Sequence, residues 1–216
     1  PAWASRPTSG DARVGTPRDG SAALVLYGYG SYESSLDPWF SISRLSLLDR
    51  GVVFAVAHVR GGGEMGRHWY DQGKLLHKHN TFTDFVASAR HVVEAGWTSA
   101  DRLVARGASA GGLLMGAVAN LAPDAFRAIV AQVPFVDPLN SILDPSLPLT
   151  VIEWEEWGNP VDSPEVYHYM KSYSPYENVA PTAYPAILAM TSLHDTRVLS
   201  QEPAQSAARP RAPATN

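Results

Sequence analysis

Apolar and polar positions along this chain fall into blocks of two periods. Residues 23–27, Ala-Leu-Val-Leu-Tyr, make a short β-rich apolar run that ends at Gly28. Residues 39–49 space Phe40, Leu45 and Leu48 at helical intervals, with Gly51 as a stop. Residues 52–59 are almost continuously apolar, the pattern of a strand covered on both faces. Residues 83–95 turn Phe85, Ala89, Val92 and Val93 to one side and stop at Gly96, which predicts an amphipathic helix. A strand over 103–106, a long apolar helix over 113–121 and two further buried strands at 128–133 and 186–190 complete the series. Strands alternating with helices predict βαβ units and a mostly parallel, doubly wound α/β sheet. No internal repeat is visible. Residues 1–20 have no periodicity and read as an irregular leader, residues 21–203 as the domain, and residues 204–216 as a low-complexity tail unable to pack.

Composition narrows the partners. A chain of 216 residues with 45% hydrophobic and 18% charged residues is long enough to bury one sizeable core. A net charge of -4 lacks the basic footprint of a nucleic-acid binder. No apolar run reaches the length of a membrane-spanning helix, and no apolar signal region follows Pro1-Ala2-Trp3, so a cytoplasmic protein, and a fragment or processed piece, is expected. The absence of cysteine removes disulfides and thiolate metal sites.

The densest chemical signal is Gly107-Ala108-Ser109-Ala110-Gly111-Gly112, between the predicted strand and the predicted apolar helix. A G-x-S-x-G turn there is the nucleophile elbow of an α/β-hydrolase, which lifts the serine hydroxyl out of the sheet edge and needs small flanking residues. Ser109 is the candidate nucleophile, and the Ala110 amide a candidate oxyanion donor.

Such a nucleophile needs an orienting acid and a base, in the chain order Ser, Asp or Glu, His. Asp195 follows the 186–190 strand where the acid is expected; a plain turn aspartate is its simpler reading. All seven histidines precede Asp195, and His194 is its immediate neighbour, so the base position is unfilled. The second charged cluster is Glu153-Trp154-Glu155-Glu156-Trp157, after a loop over 137–148. Its carboxylates fit either a solvated helix start or a pocket for Arg or Lys. Arg60-Gly61-Gly62-Gly63-Glu64 lacks the spacing of a phosphate loop, and His77 and His79 read as solvated neighbours of Lys74 and Lys78 rather than metal ligands. No cofactor or metal is expected.

Several ordered segments carry a resemblance: Leu26-Tyr27-Gly28-Tyr29-Gly30-Ser31-Tyr32, His58-Val59-Arg60-Gly61-Gly62-Gly63-Glu64, Gln132-Val133-Pro134-Phe135-Val136-Asp137, Glu155-Glu156-Trp157-Gly158-Asn159-Pro160 and Leu193-His194-Asp195. Over roughly 24–202 the chain resembles the catalytic domain of the prolyl oligopeptidase family, in its oligopeptidase B branch. The resemblance implies Ser109 as nucleophile, Asp195 as triad acid, and Tyr29 as hydroxyl donor to the oxyanion beside Ala110. It implies Glu153 and Glu155 as readers of a basic residue before the scissile bond, with Tyr32 and Asp37 among the substrate-binding residues. The usual acidic companion of Asp37 is Trp39 here, which weakens the implied dibasic preference. The family's β-propeller and histidine loop have no counterpart in these residues, so the domain is expected to be incomplete at both ends, with an unpaired sheet edge.

Three readings follow: a serine peptidase acting on short basic peptides after Arg or Lys, inactive or nearly so without the histidine; a non-catalytic remnant that at most binds peptides; and a general esterase of the same fold.

Overall fold

The computed structural model describes residues 8–37, 39–195 and 197–208. Among the described residues six strands form one sheet: β1 (Thr8–Asp11), β2 (Leu24–Tyr27), β3 (Val53–Ala57), β4 (Leu103–Ala108), β5 (Ala128–Gln132) and β6 (Ala186–Met190), in the spatial order β1-β3-β2-β4-β5-β6. β1 runs antiparallel to β3, and the other pairings are parallel. The α/β fold is as the alternating periods predict.

Helix α1 (Ile42–Asp49) joins β2 to β3, α3 (His79–Glu94) joins β3 to β4, and α4 (Ala110–Leu121) joins β4 to β5. The winding direction reverses at β3. With right-handed crossovers, α1 therefore lies on one face of the sheet and the mutually packed α3 and α4 on the other. The short α2 (Arg67–Asp71) precedes α3, and α5 (Pro138–Leu143), α6 (Thr150–Trp157) and α7 (Pro164–Tyr173) lie between β5 and β6. α8 (Gln201–Ala208) ends the described chain. No helix among the described residues is long and apolar enough to cross a membrane.

The core explains the pattern. All five residues of β3 are buried, as a continuous apolar run requires. α4 is apolar nearly all round because it is enclosed by β4, β5 and α3. Phe85, Leu114 and Phe126 close the α3–α4 side over β2 and β4.

Four expectations need correction. Residues 8–11, placed in an irregular leader, form β1; polar Thr8-Ser9-Gly10-Asp11 carries no strand period, and it pairs because β3 offers a free edge. Residues 204–208, placed in the tail, continue α8. Glu202 docks that helix by accepting the Val136 and Asp137 amides (both 3.0 Å) and the Ser141 hydroxyl (2.7 Å). Residues 1–7 and 209–216 lie outside the described residues. The 137–148 segment, taken as a loop, contains α5, started by Pro138 and by the Asp137 side chain accepting the Asn140 amide. β6, expected to be buried, is exposed along its whole length: Leu188 is 56% exposed, and nothing pairs beyond it among the described residues. An apolar cavity of about 360 Å³ opens beside it, lined by Met115, Ile129, Tyr184, Ile187 and Ala189.

Phe85 is fully buried against Phe126. Phe85→Ala is expected to cost about 3–5 kcal/mol in urea unfolding; a loss under about 1 kcal/mol would show that this core side is loose.

Candidate active site

β4 runs straight into the elbow. Ser109 has φ 57° and ψ -118°, a left-handed conformation that costs an ordinary residue about 1–3 kcal/mol. The surroundings hold it there. Its amide donates to the Gln132 carbonyl of β5 (2.9 Å), and its carbonyl accepts the amides of Gly112 (2.7 Å), Leu113 (3.2 Å) and Phe135 (3.2 Å). The glycines are required by backbone proximity. A Cβ on Gly107 would lie 2.2 Å from the Gly111 carbonyl oxygen, and one on Gly111 would lie 2.7 Å from that of Gly28. The half-buried Ser109 side chain makes no hydrogen bond among the described residues.

Ala110 and Tyr29 border this turn. Ala110 begins α4, so its N–H has no partner within the helix. Tyr29 lies just past β2, whose Tyr27 is in register with Arg106 of β4, and the Gly28 amide donates to the Arg106 carbonyl (3.1 Å). That register brings Tyr29 beside the elbow, its Cα 3.4 Å from where a Gly111 Cβ would stand. Burial, then the nearby Tyr27, Glu156 and Glu153, push the Tyr29 hydroxyl above the ordinary phenol range. It therefore stays protonated as a donor.

Asp195 lies past the carboxyl end of β6, which stands two positions from β4 in the sheet. Its Oδ1 accepts the amides of Val198 (3.0 Å) and Arg197 (2.9 Å), which lower its pKa. Here it is the cap of its own turn. No histidine hydrogen-bonds Ser109 or Asp195 among the described residues. His58 sits between Ser9 Oγ (2.9 Å) and Glu64 (3.3 Å), while His68, His77, His91, His168 and His194 are exposed. His79, expected to be solvated, packs edge-on against Tyr169 and Tyr173 and bonds Ser172 (2.8 Å). Burial lowers its pKa.

Glu153 and Glu155 do not come together. Two positions on a helix differ by about 200°, so α6 turns them to opposite sides. The Glu153 carboxylate accepts the Tyr32 hydroxyl (3.0 Å) and the Trp157 indole N–H (3.2 Å). Burial and the charge of Glu156 raise its pKa, against those two hydrogen bonds. Glu155 is exposed. The acid that shares the Glu153 side is Glu156, three positions on, which the sequence reading passed over although the helical interval marks it. Glu156 is 3% exposed and accepts the Tyr32 amide (3.1 Å) and the Tyr70 hydroxyl (2.7 Å). Lys78 is 1% exposed and lies 3.8 Å from Glu156. Asp37 is exposed and borders a cleft of about 190 Å³ with Tyr27, Trp39, Arg44 and Arg106. Among the described residues no three His, Asp or Glu side chains converge to hold a metal ion.

A serine strained at a strand-to-helix turn between close-packed glycines has the geometry of a nucleophile elbow. A model of the prolyl oligopeptidase family matches residues 38–213. The chain belongs to this family. Among prolyl oligopeptidase relatives, it is 54% identical over 198 residues to Protease 2 of Moraxella lacunata, covering 92% of this chain and 29% of that one. Dipeptidyl aminopeptidase BI of Pseudoxanthomonas mexicana is 53% identical over 197 residues, 91% and 27% of the two chains. The structure of oligopeptidase B from Leishmania major superposes with a TM-score of 0.91 at 50% identity, covering 95% of this chain and 28% of that one. The chain thus spans under a third of the length of the relatives it matches.

Prolyl oligopeptidase membership agrees with the elbow, whose strain sets a test. Ser109→Gly removes the left-handed penalty but frees the unfolded chain, for a net gain of about 1 kcal/mol. Urea unfolding is expected to show that gain, with Ser109→Ala near wild type. A loss of stability in Ser109→Gly would mean the hydroxyl supports the turn.

Proposed function

We propose that this chain carries the nucleophile, the oxyanion donors and the cation-reading acid of a serine peptidase that cleaves short peptides after Arg or Lys. Ser109 Oγ attacks the scissile carbonyl, and the oxygen that gains charge is received by the Ala110 N–H and the Tyr29 hydroxyl. The C–N bond then breaks, the amine leaves with a proton, and water hydrolyses the Ser109 ester. The observation that supports specificity is the Glu153 carboxylate, half-buried and held by Trp157 and by Tyr32, itself three residues along the chain from Tyr29. A carboxylate so desolvated favours a guanidinium or ammonium over a neutral side chain.

The hydroxyl proton must go to a base, and no histidine among the described residues stands at Ser109. Nucleophile and base act as a unit, so the 216-residue chain by itself is expected to turn over several orders of magnitude more slowly than a complete triad. The self-capped Asp195 favours a second reading, a peptide-binding chain without turnover. Specificity can be tested under both.

Calorimetry with N-acetyl-arginine amide and N-acetyl-norleucine amide is expected to favour arginine by about tenfold at neutral pH, the worth of one partly desolvated ion pair. Glu153→Gln should abolish the preference and Glu155→Gln should keep it. Only the ionised carboxylate attracts the cation, and its folded-state pKa is raised from 4.5. The preference is therefore expected to fade on acidification before an ordinary glutamate would protonate. An arginine preference that survives in Glu153→Gln would reject the assignment.

A further inference from the structure

Residues 30–33 form an improbable turn. Gly30, Tyr32 and Glu33 have φ of 74°, 58° and 55°, so two consecutive non-glycine residues are left-handed. The turn joins Tyr29 at the elbow to Tyr32, whose hydroxyl meets Glu153. Its fixed points come from outside. Lys78 Nζ donates to the Gly30 carbonyl and to Ser31 Oγ (both 2.7 Å), lies 4.8 Å over the Trp157 ring, and is 3.8 Å from Glu156. Glu156 in turn accepts the Tyr32 amide. Lys78, Ser31, Glu156 and Trp157 are all buried.

We propose that the buried Lys78–Glu156 pair is a positioning device: it locks the 30–33 turn so that the Tyr29 hydroxyl and the Glu153 carboxylate stand at a fixed separation. Lys78 holds the first half of the turn and Glu156 the second, while each neutralises the other. Burial pulls the Lys78 ammonium down to about 8, with Glu156 opposing, so it remains charged at neutral pH. Stability alone does not account for the arrangement, because a buried ion pair is commonly replaceable by neutral groups without loss. The role in substrate reading rests on the specificity assigned above to Glu153.

The test is the double variant Lys78→Met with Glu156→Gln in the 216-residue chain, which removes both charges and keeps the volumes. It is expected to unfold in urea near the wild-type midpoint. Its 31–33 amides should exchange with deuterium about tenfold faster, the worth of a hydrogen bond to a charged group, with β4 amides unchanged. Binding of N-acetyl-arginine amide should weaken about tenfold. Glu153→Gln should weaken binding and leave exchange unaltered. Wild-type exchange at 31–33, or faster exchange with unchanged affinity, would overturn the proposal. If the wild-type chain fails to bind the arginine amide, the specificity reading falls, and the exchange rates still decide whether the pair holds the turn. Tyr70→Phe, which deletes only the hydroxyl bonded to Glu156, serves if the double variant does not fold. It should show a smaller shift of both readouts in the same direction, and no shift in either would count against the proposal.

Discussion

Everything chemical in this molecule depends on three backbones meeting without side chains between them. The ends of β2 and β4 and the first turn of α4 approach so closely that Gly107 and Gly111 have no space for a Cβ. The contact forces Ser109 into its left-handed conformation and brings Tyr29 over the start of α4. The strain of about 1–3 kcal/mol is local, whereas its support is the enclosed α4 with Phe85, Leu114 and Phe126. A rigid core thus holds a reactive turn.

A second layer works by charge. α6 offers two acids on one side, Glu153 and Glu156, with different surroundings. Glu153 meets neutral donors from Tyr32 and Trp157, the basis of the cation-reading role proposed for it. Glu156 is committed to Lys78, Tyr70 and the Tyr32 amide. The same helix therefore carries one acid with unspent charge and one that serves as structure, separated by three residues.

How much was legible in the sequence follows from how local each signal is. The strand β3, the amphipathic α3 and the elbow are written in periodicity and in small residues, and they are found where expected. β1 was missed because its polar residues pair only through an edge that another segment supplies. β6 was read as buried because an apolar run reports preference for a strand and says nothing of which neighbours cover it. Glu155 was named from the resemblance, and only the phase of α6 shows that Glu156, three positions from Glu153, shares its side. His79 was taken as solvated because its packing rests on Tyr169 and Tyr173, ninety positions and more away, and the burial of Lys78 rests likewise on distant Glu156 and the Gly30 carbonyl. Local chemistry was readable, and long-range pairing was not.

In the proposed site Ser109 is geometrically prepared but has no base beside it among the described residues. The most direct measurement is the rate at which a fluorophosphonate labels the folded chain, with Ser109→Ala as control and with imidazole added at increasing concentration. Slow Ser109-dependent labelling that rises with imidazole is expected, because the free base supplies the missing proton acceptor to a site otherwise complete. Rapid labelling that ignores imidazole would show that a group within the chain already activates the serine. Absence of labelling at any imidazole concentration would show that the oxyanion site is not formed.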